Sequence, residues 1–107
     1  MSDKETNFET TALKTLSYIS DTIEKQDEAC VIEIDFLGDI LKLFTTKGEY
    51  IINKHSAAKQ IWLASPISGP YHFSFNGGHW VNKANIDLMS LLSQELKEFS
   101  NIDLQYE

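Results

Sequence analysis

Between Val31 and Asn82 the chain meets a turn signal every few residues, and that spacing restricts its fold more than any other feature. VIEIDF (Val31 to Phe36) alternates apolar and polar at period two, and Leu37-Gly38-Asp39 follows as a turn. ILKLF (Ile40 to Phe44) alternates again before Thr46-Lys47-Gly48. Further strands are predicted at Tyr50 to Lys54, Gln60 to Ala64, Tyr71 to Phe75 and, briefly, His79 to Asn82. Ser65-Pro66, Gly69-Pro70 and Asn76-Gly77-Gly78 punctuate them. Connections this short can join only antiparallel neighbours, because a parallel pair needs a crossover of a dozen or more residues.

A helix is expected on each side of this run. Phe8, Ala12, Leu16, Ile19 and Ile23 form one apolar stripe, predicting a helix from Phe8 to Gln26 with Asn7 as its cap. Asp87 opens a second helix, whose stripe is Leu88, Leu92, Glu95 or Leu96, and Phe99. The expectation is an α+β protein, a two-layer αβ sandwich. Two helices pack on one face of a five- to six-stranded, mostly antiparallel sheet, and residues 1–107 form a single domain.

A sheet covered on one side alternates apolar-in and polar-out, and this assigns each side chain a face. Ile32, Ile34, Phe36, Leu41, Leu43, Tyr50, Ile52, Ile61, Leu63, Tyr71, Phe73 and Phe75 point in. Lys42, Asn53, Gln60, Trp62, His72 and Ser74 point out. Trp62 therefore lies at the centre of a polar surface, the composition of a docking patch with an aromatic anchor. The other possibility is that the loop at Ile67 to Gly69 folds over Trp62 and makes it core.

The formal charge of −7 is unevenly placed. From Met1 to Asp39 there are ten acids against three lysines, whereas the remainder is balanced at six and six. A chain so acidic lacks the basic patch that nucleic acid or an anionic membrane requires. Asp21, Glu24 and Glu28 share the helix face away from the apolar stripe, and Asp27, Glu33, Asp35 and Asp39 follow. If the first strand is the sheet edge, these carboxylates form one ridge. Charges on an edge strand also serve solubility and prevent edge-to-edge pairing. As ligands, hard carboxylate oxygens suit iron, manganese, calcium or magnesium. Scattered and exposed, they predict a weak, water-rich site.

No phosphate-binding glycine loop, nucleophile elbow or H-E-x-x-H motif is present, so catalysis has little support. His55, His72 and His79 lack ligand spacing, and only His72, beside Trp62, is expected to touch a partner. Cys30 is the sole cysteine, which fits a reducing cytoplasm. The first residues have neither a secretory h-region nor the arginine-rich pattern of a transit peptide.

The run from Ile52 to Pro70, I-N-K-x-x-x-x-K-Q-I-W-L-x-S-P-x-S-G-P, resembles the frataxin family. The resemblance extends through the acidic first helix and strand, the HWV strand and the closing helix. Tyr71-His72-Phe73 is the form of the bacterial, CyaY-type branch. It implies a frataxin-like fold and weak, reversible binding of iron (Fe2+ or Fe3+) at Asp21, Glu24, Asp27, Glu28, Glu33, Asp35 and Asp39. It also implies a role in iron–sulfur cluster assembly, as iron chaperone, as regulator of a cysteine desulfurase and its scaffold protein, or as both. Asn53, Lys54, Gln60, Trp62 and, by its place beside Trp62, His72 would form the partner surface. A cytoplasmic monomer that oligomerises with iron is expected. The alternative is a ferroxidase and iron-storage protein that oxidises Fe2+ on the acidic surface, and a third reading is an interaction domain without metal.

Overall fold

The structure, a computed structural model, describes residues 3–106, with side chains described from Asn7 onward. The element order is α1 (Asp3–Gln26), β1 (Glu33–Leu37), β2 (Ile40–Thr45), β3 (Gly48–His55), β4 (Gln60–Ser65), β5 (Gly69–Asn76), β6 (His79–Val81) and α2 (Leu88–Leu96). All six strands follow one another across a single sheet, and every pair is antiparallel. Hairpin connections leave no other order. β1 and β6 are therefore the two edges.

The inward residues meet both helices. Leu41, Leu43, Tyr50, Ile52, Ile61, Leu63 and Phe73 are buried against the α1 stripe and against Leu88, Leu92 and Leu96 of α2. Burial of each large apolar side chain contributes about 1.5–3 kcal/mol, and this layer supplies most of the cohesion. Trp80 on β6 is fully buried, and its Nε1 donates to Thr15 Oγ1 on α1 at 2.9 Å. Tyr50 crosses to the other helix, donating its hydroxyl to Glu95 Oε1 at 2.8 Å.

Several expectations need correction. Asn7 is not a cap, because α1 already includes Asp3 and runs through it. Asp87 does cap α2, accepting from Ser90 N, but the helix stops at Leu96 and Phe99 packs from the following turn. Phe75 lies opposite Trp80 and packs on its ring at 4.9 Å, yet remains 47% exposed at the rim of the sheet. After α2 the chain returns between the helices, where Ile102 and Leu104 are buried. Gln26 binds the backbone of Asp103, and Tyr18 Oη accepts from Gln105 N at 2.8 Å. Ser93 receives Leu104 N at 2.8 Å.

Candidate functional site

The acidic edge is built where α1 ends and β1 begins. Asp21, Glu24, Glu28, Glu33 and Asp35 are all exposed, and none makes a salt bridge to another described residue. Asp21 and Glu24 sit near the C-terminal end of α1, where the helix dipole already presents negative charge. Each carboxylate there is disfavoured by a few tenths of a kcal/mol, and like neighbours add to that cost. Lys25, in the last turn, offsets only part of it.

Two members of the expected ridge stand apart. Asp27 is 4% exposed, and its two carboxylate oxygens accept from Val31 N at 3.2 Å and Ile32 N at 2.7 Å. The connector doubles back through Cys30, at φ 54°, and so aims those amides at Asp27. Its role is to fasten α1 to β1. Asp39 is exposed, but its Oδ1 lies 3.3 Å from Lys54 Nζ. Lys54 also pairs with Glu9 of α1. Glu9 holds the Lys54 ammonium above its ordinary range, and Lys54 in turn pulls the Glu9 carboxyl below its own.

Lys54 was expected on the partner surface, and it is not there. It continues the inward series Tyr50, Ile52, Lys54 and is only 8% exposed. The other partner residues do share the outer face. Pairing places Asn53 opposite Trp62 and Trp62 opposite His72, with Gln60 beside Ser74. Trp62 faces away from the helices as read from the alternation, yet it is largely shielded from water. The imidazoles of His55 and His72 stack on its two sides, with centroids at 3.8 and 4.1 Å and planes within 11° and 8°. Its Nε1 donates to Gln60 Oε1 at 2.8 Å. The loop at Ile67 to Gly69 does not cover it; two histidines do. His55 was missed although a signal existed, since an outward Asn53 on a strand puts His55 outward too.

Glu95 was also missed as a polar centre. It is 8% exposed and accepts from Tyr50 Oη at 2.8 Å, Ser65 Oγ at 2.7 Å and Ser68 Oγ at 2.5 Å. Ser65 Oγ also receives Ile67 N and Ser68 N, so one carboxylate ties the β4–β5 loop to α2.

No three His, Cys, Asp or Glu side chains among the described residues converge as a ready-made metal cage. The edge carboxylates can hold a hard cation only as an open set of oxygens completed by water. Among the described residues no helix is long and apolar enough to cross a membrane.

Two helices on one face of a six-stranded antiparallel sheet, with an acidic edge and an open polar face, define an α+β sandwich. The Frataxin-like domain family matches residues 1–102, and the chain belongs to the frataxin family. It is 35% identical over 88 residues to the mitochondrial frataxin homolog of Saccharomyces cerevisiae, covering 78% of this chain and 51% of that protein. It is 35% identical over 101 residues to a mitochondrial frataxin-like protein of Leishmania donovani, covering 85% and 53%. The chain thus spans about half the length of these curated relatives. Among solved structures, trimeric yeast frataxin complexed with ferrous iron superposes with a TM-score of 0.73 at 33% identity, covering 81% and 82% of the two chains. The frataxin of Psychromonas ingrahamii shares the fold, with a TM-score of 0.79 at 22% identity over 96% and 97%.

Proposed function

We propose that this protein is a weak, reversible binder of ferrous iron that serves iron–sulfur cluster assembly as a chaperone or regulator rather than as an enzyme. The observation that carries this reading is the edge itself: five exposed carboxylates, Asp21, Glu24, Glu28, Glu33 and Asp35, without a salt bridge to any described residue. A fold that leaves like charges together at the negative end of a helix loses stability unless something positive arrives. A hard divalent cation and a basic protein surface both meet that need. The yeast relative crystallised with ferrous iron favours iron as the cation.

On this reading Asp27 and Lys54 leave the binding sets, Asp27 to fasten the connector and Lys54 to pair with Glu9 and Asp39. Asp39 becomes at most a peripheral ligand. The protein partners are a cysteine desulfurase, met by the acidic edge with long-range steering, and a cluster scaffold, met by Asn53, Gln60, Trp62 and His72. Iron and the desulfurase would then compete for the same carboxylates. A lone exposed cysteine, Cys30, fits a reducing compartment such as the cytoplasm. The protein is read as a monomer that associates further under iron load.

Anaerobic thermal melting tests the reading. Ferrous iron at about ten times its Kd should raise Tm by roughly 5 °C, since it binds only the folded state. A variant with all five edge acids changed to amides should begin with an equal or higher Tm and show no rise. An equal rise in both proteins would remove the edge as the iron site.

A further inference from the structure

The β5–β6 turn holds a reactive pair that neither the acidic edge nor the partner face uses. The chain has six asparagines, and only Asn76 is followed by glycine. The other five precede Phe, Lys or Ile. Asn76 pairs with His79 as the last rung of the hairpin, so Gly77 and Gly78 alone make the turn. Their φ values of 60° and 86° fit a type I′ turn, which requires positive φ at both central positions.

Asn76 continues the outward series His72 and Ser74 and is exposed. Its side chain has no hydrogen-bond partner among the described residues, and Gly77 N donates to none of them. Nothing lies within 4 Å of where a Gly77 Cβ would stand, so no packed neighbour crowds the turn. Asn82 is the contrast: its Oδ1 accepts from Ala84 N at 3.0 Å and Ile86 N at 2.8 Å. The extended backbone at Asn76 must rotate before its Cγ can meet Gly77 N. That rung is terminal, and β6 is a sheet edge of three residues, where local opening costs least.

We infer that Asn76 is a site of spontaneous deamidation and isomerisation in the folded protein. Gly77 N, its proton taken by solvent base, bonds to Asn76 Cγ. The Cγ–Nδ2 bond breaks, and that nitrogen leaves as ammonia with a proton from solvent. Water then opens the succinimide at either carbonyl, leaving aspartate or isoaspartate, and no oxidant or reductant takes part. Either product puts a new negative charge on the outer face, two residues beyond Ser74. Isoaspartate also adds a carbon to the main chain, which lengthens the turn against the register Asn76↔His79, Phe75↔Trp80 and Ser74↔Val81. Trp80 is the buried centre of that strand, and its Nε1 donates to Thr15 Oγ1 on α1. The isoaspartyl hairpin therefore loosens where β6 is joined to the helix layer.

The test is incubation of the whole chain at physiological temperature, at pH 6.0 and pH 8.0, with and without denaturing urea. Peptide mapping that separates aspartate from isoaspartate follows. The expected result is conversion at Asn76 ahead of the other asparagines, and severalfold faster at pH 8.0, because the attacking nitrogen must lose its proton. The converted protein should gain one negative charge on anion exchange. Its isoaspartyl fraction should lose amide protection at Trp80, whose N donates to Tyr106 Oη at 2.9 Å. Asn76→Gln should abolish the charge gain and, at an exposed position, keep the parent's spectrum. Conversion in urea but not in the folded chain would overturn the proposal, as would conversion no faster at Asn76 than at the other asparagines. Parental protection of Trp80 in the isoaspartyl fraction would overturn the loosening of β6. Neither iron nor the edge carboxylates enter this experiment, so the iron reading is decided by its own.

Discussion

Two buried carboxylates illustrate why identity alone does not assign a role to an acid. Glu95 accepts from three hydroxyls and Asp27 from two backbone amides, and each is nearly excluded from water. Hydrogen bonds to a charged acceptor are worth about 1.5–3 kcal/mol each, and orphaned buried donors add a penalty of their own. Glu95→Ala should therefore lower the free energy of unfolding by about 3 kcal/mol, read from denaturant midpoints at unchanged slope. Asp27→Ala should cost about 1–2 kcal/mol yet leave ferrous binding at its parental strength. An Asp27→Ala protein that folds normally but loses iron would return Asp27 to the metal site. Neither placement was legible in the sequence. The sequence offers Asp27 as one more ridge acid after the helix, whereas its environment is set by the turn at Cys30. Glu95 falls on the apolar stripe, and its partners come from positions 27 to 45 residues away.

Among the elements, the β4–β5 hairpin joins the buried polar centre to the outer face. Its loop is fixed from one side by Glu95 and closed from another by Gly48, the first residue of β3. Gly48 has φ +132°, and a Cβ there would lie 2.7 Å from Pro66 Cβ. Gly48→Ala combines an unfavourable backbone conformation with that clash, so a loss of about 1–3 kcal/mol is expected. Shifts in the Trp62 indole resonance should accompany it if the loop positions the hairpin; an unchanged indole would separate the two. The elements themselves were readable because alternation and turn residues agree along the whole run from β1 to β6. Lys54 was misplaced for an instructive reason. Alternation from Tyr50 and Ile52 sends it inward, but the family resemblance assigned it to the partner surface, and only Glu9 and Asp39 across the sheet rim show how an inward lysine is satisfied. The C-terminal segment escaped notice because Ile102 and Leu104 are too few to display a period.

At the scale of the molecule, stability has an alkaline limit that follows from two tyrosines. Burial raises the Tyr50 hydroxyl above its ordinary 10.0, and Glu95 raises it further. Burial likewise raises Tyr106. In the unfolded chain both titrate near the ordinary value, so the folded state binds more protons above it. Their contribution is complete below about pH 10 and is lost as pH rises beyond it toward the folded-state values. Denaturant midpoints should hold steady to about pH 9.5 and fall steeply above pH 10, with a shallower fall in Tyr106→Phe. A flat profile to pH 11 would mean that neither hydroxyl is as enclosed as described.

The whole molecule also concentrates its negative charge, with an acidic edge at β1 at one end of the sheet. Composition located the net negative charge in the first 39 residues, but only the consecutive strand order shows that this places the exposed acids of α1 and β1 at one end of the sheet. The central claim is that this edge holds ferrous iron, and an anaerobic titration of Fe2+ into 15N-labelled protein tests it most directly. The account predicts line broadening centred on residues 21–35, absent from residues 60–83, and lost when Asp21, Glu24, Glu28, Glu33 and Asp35 are changed to amides. Broadening centred elsewhere, or persisting in that variant, would contradict it.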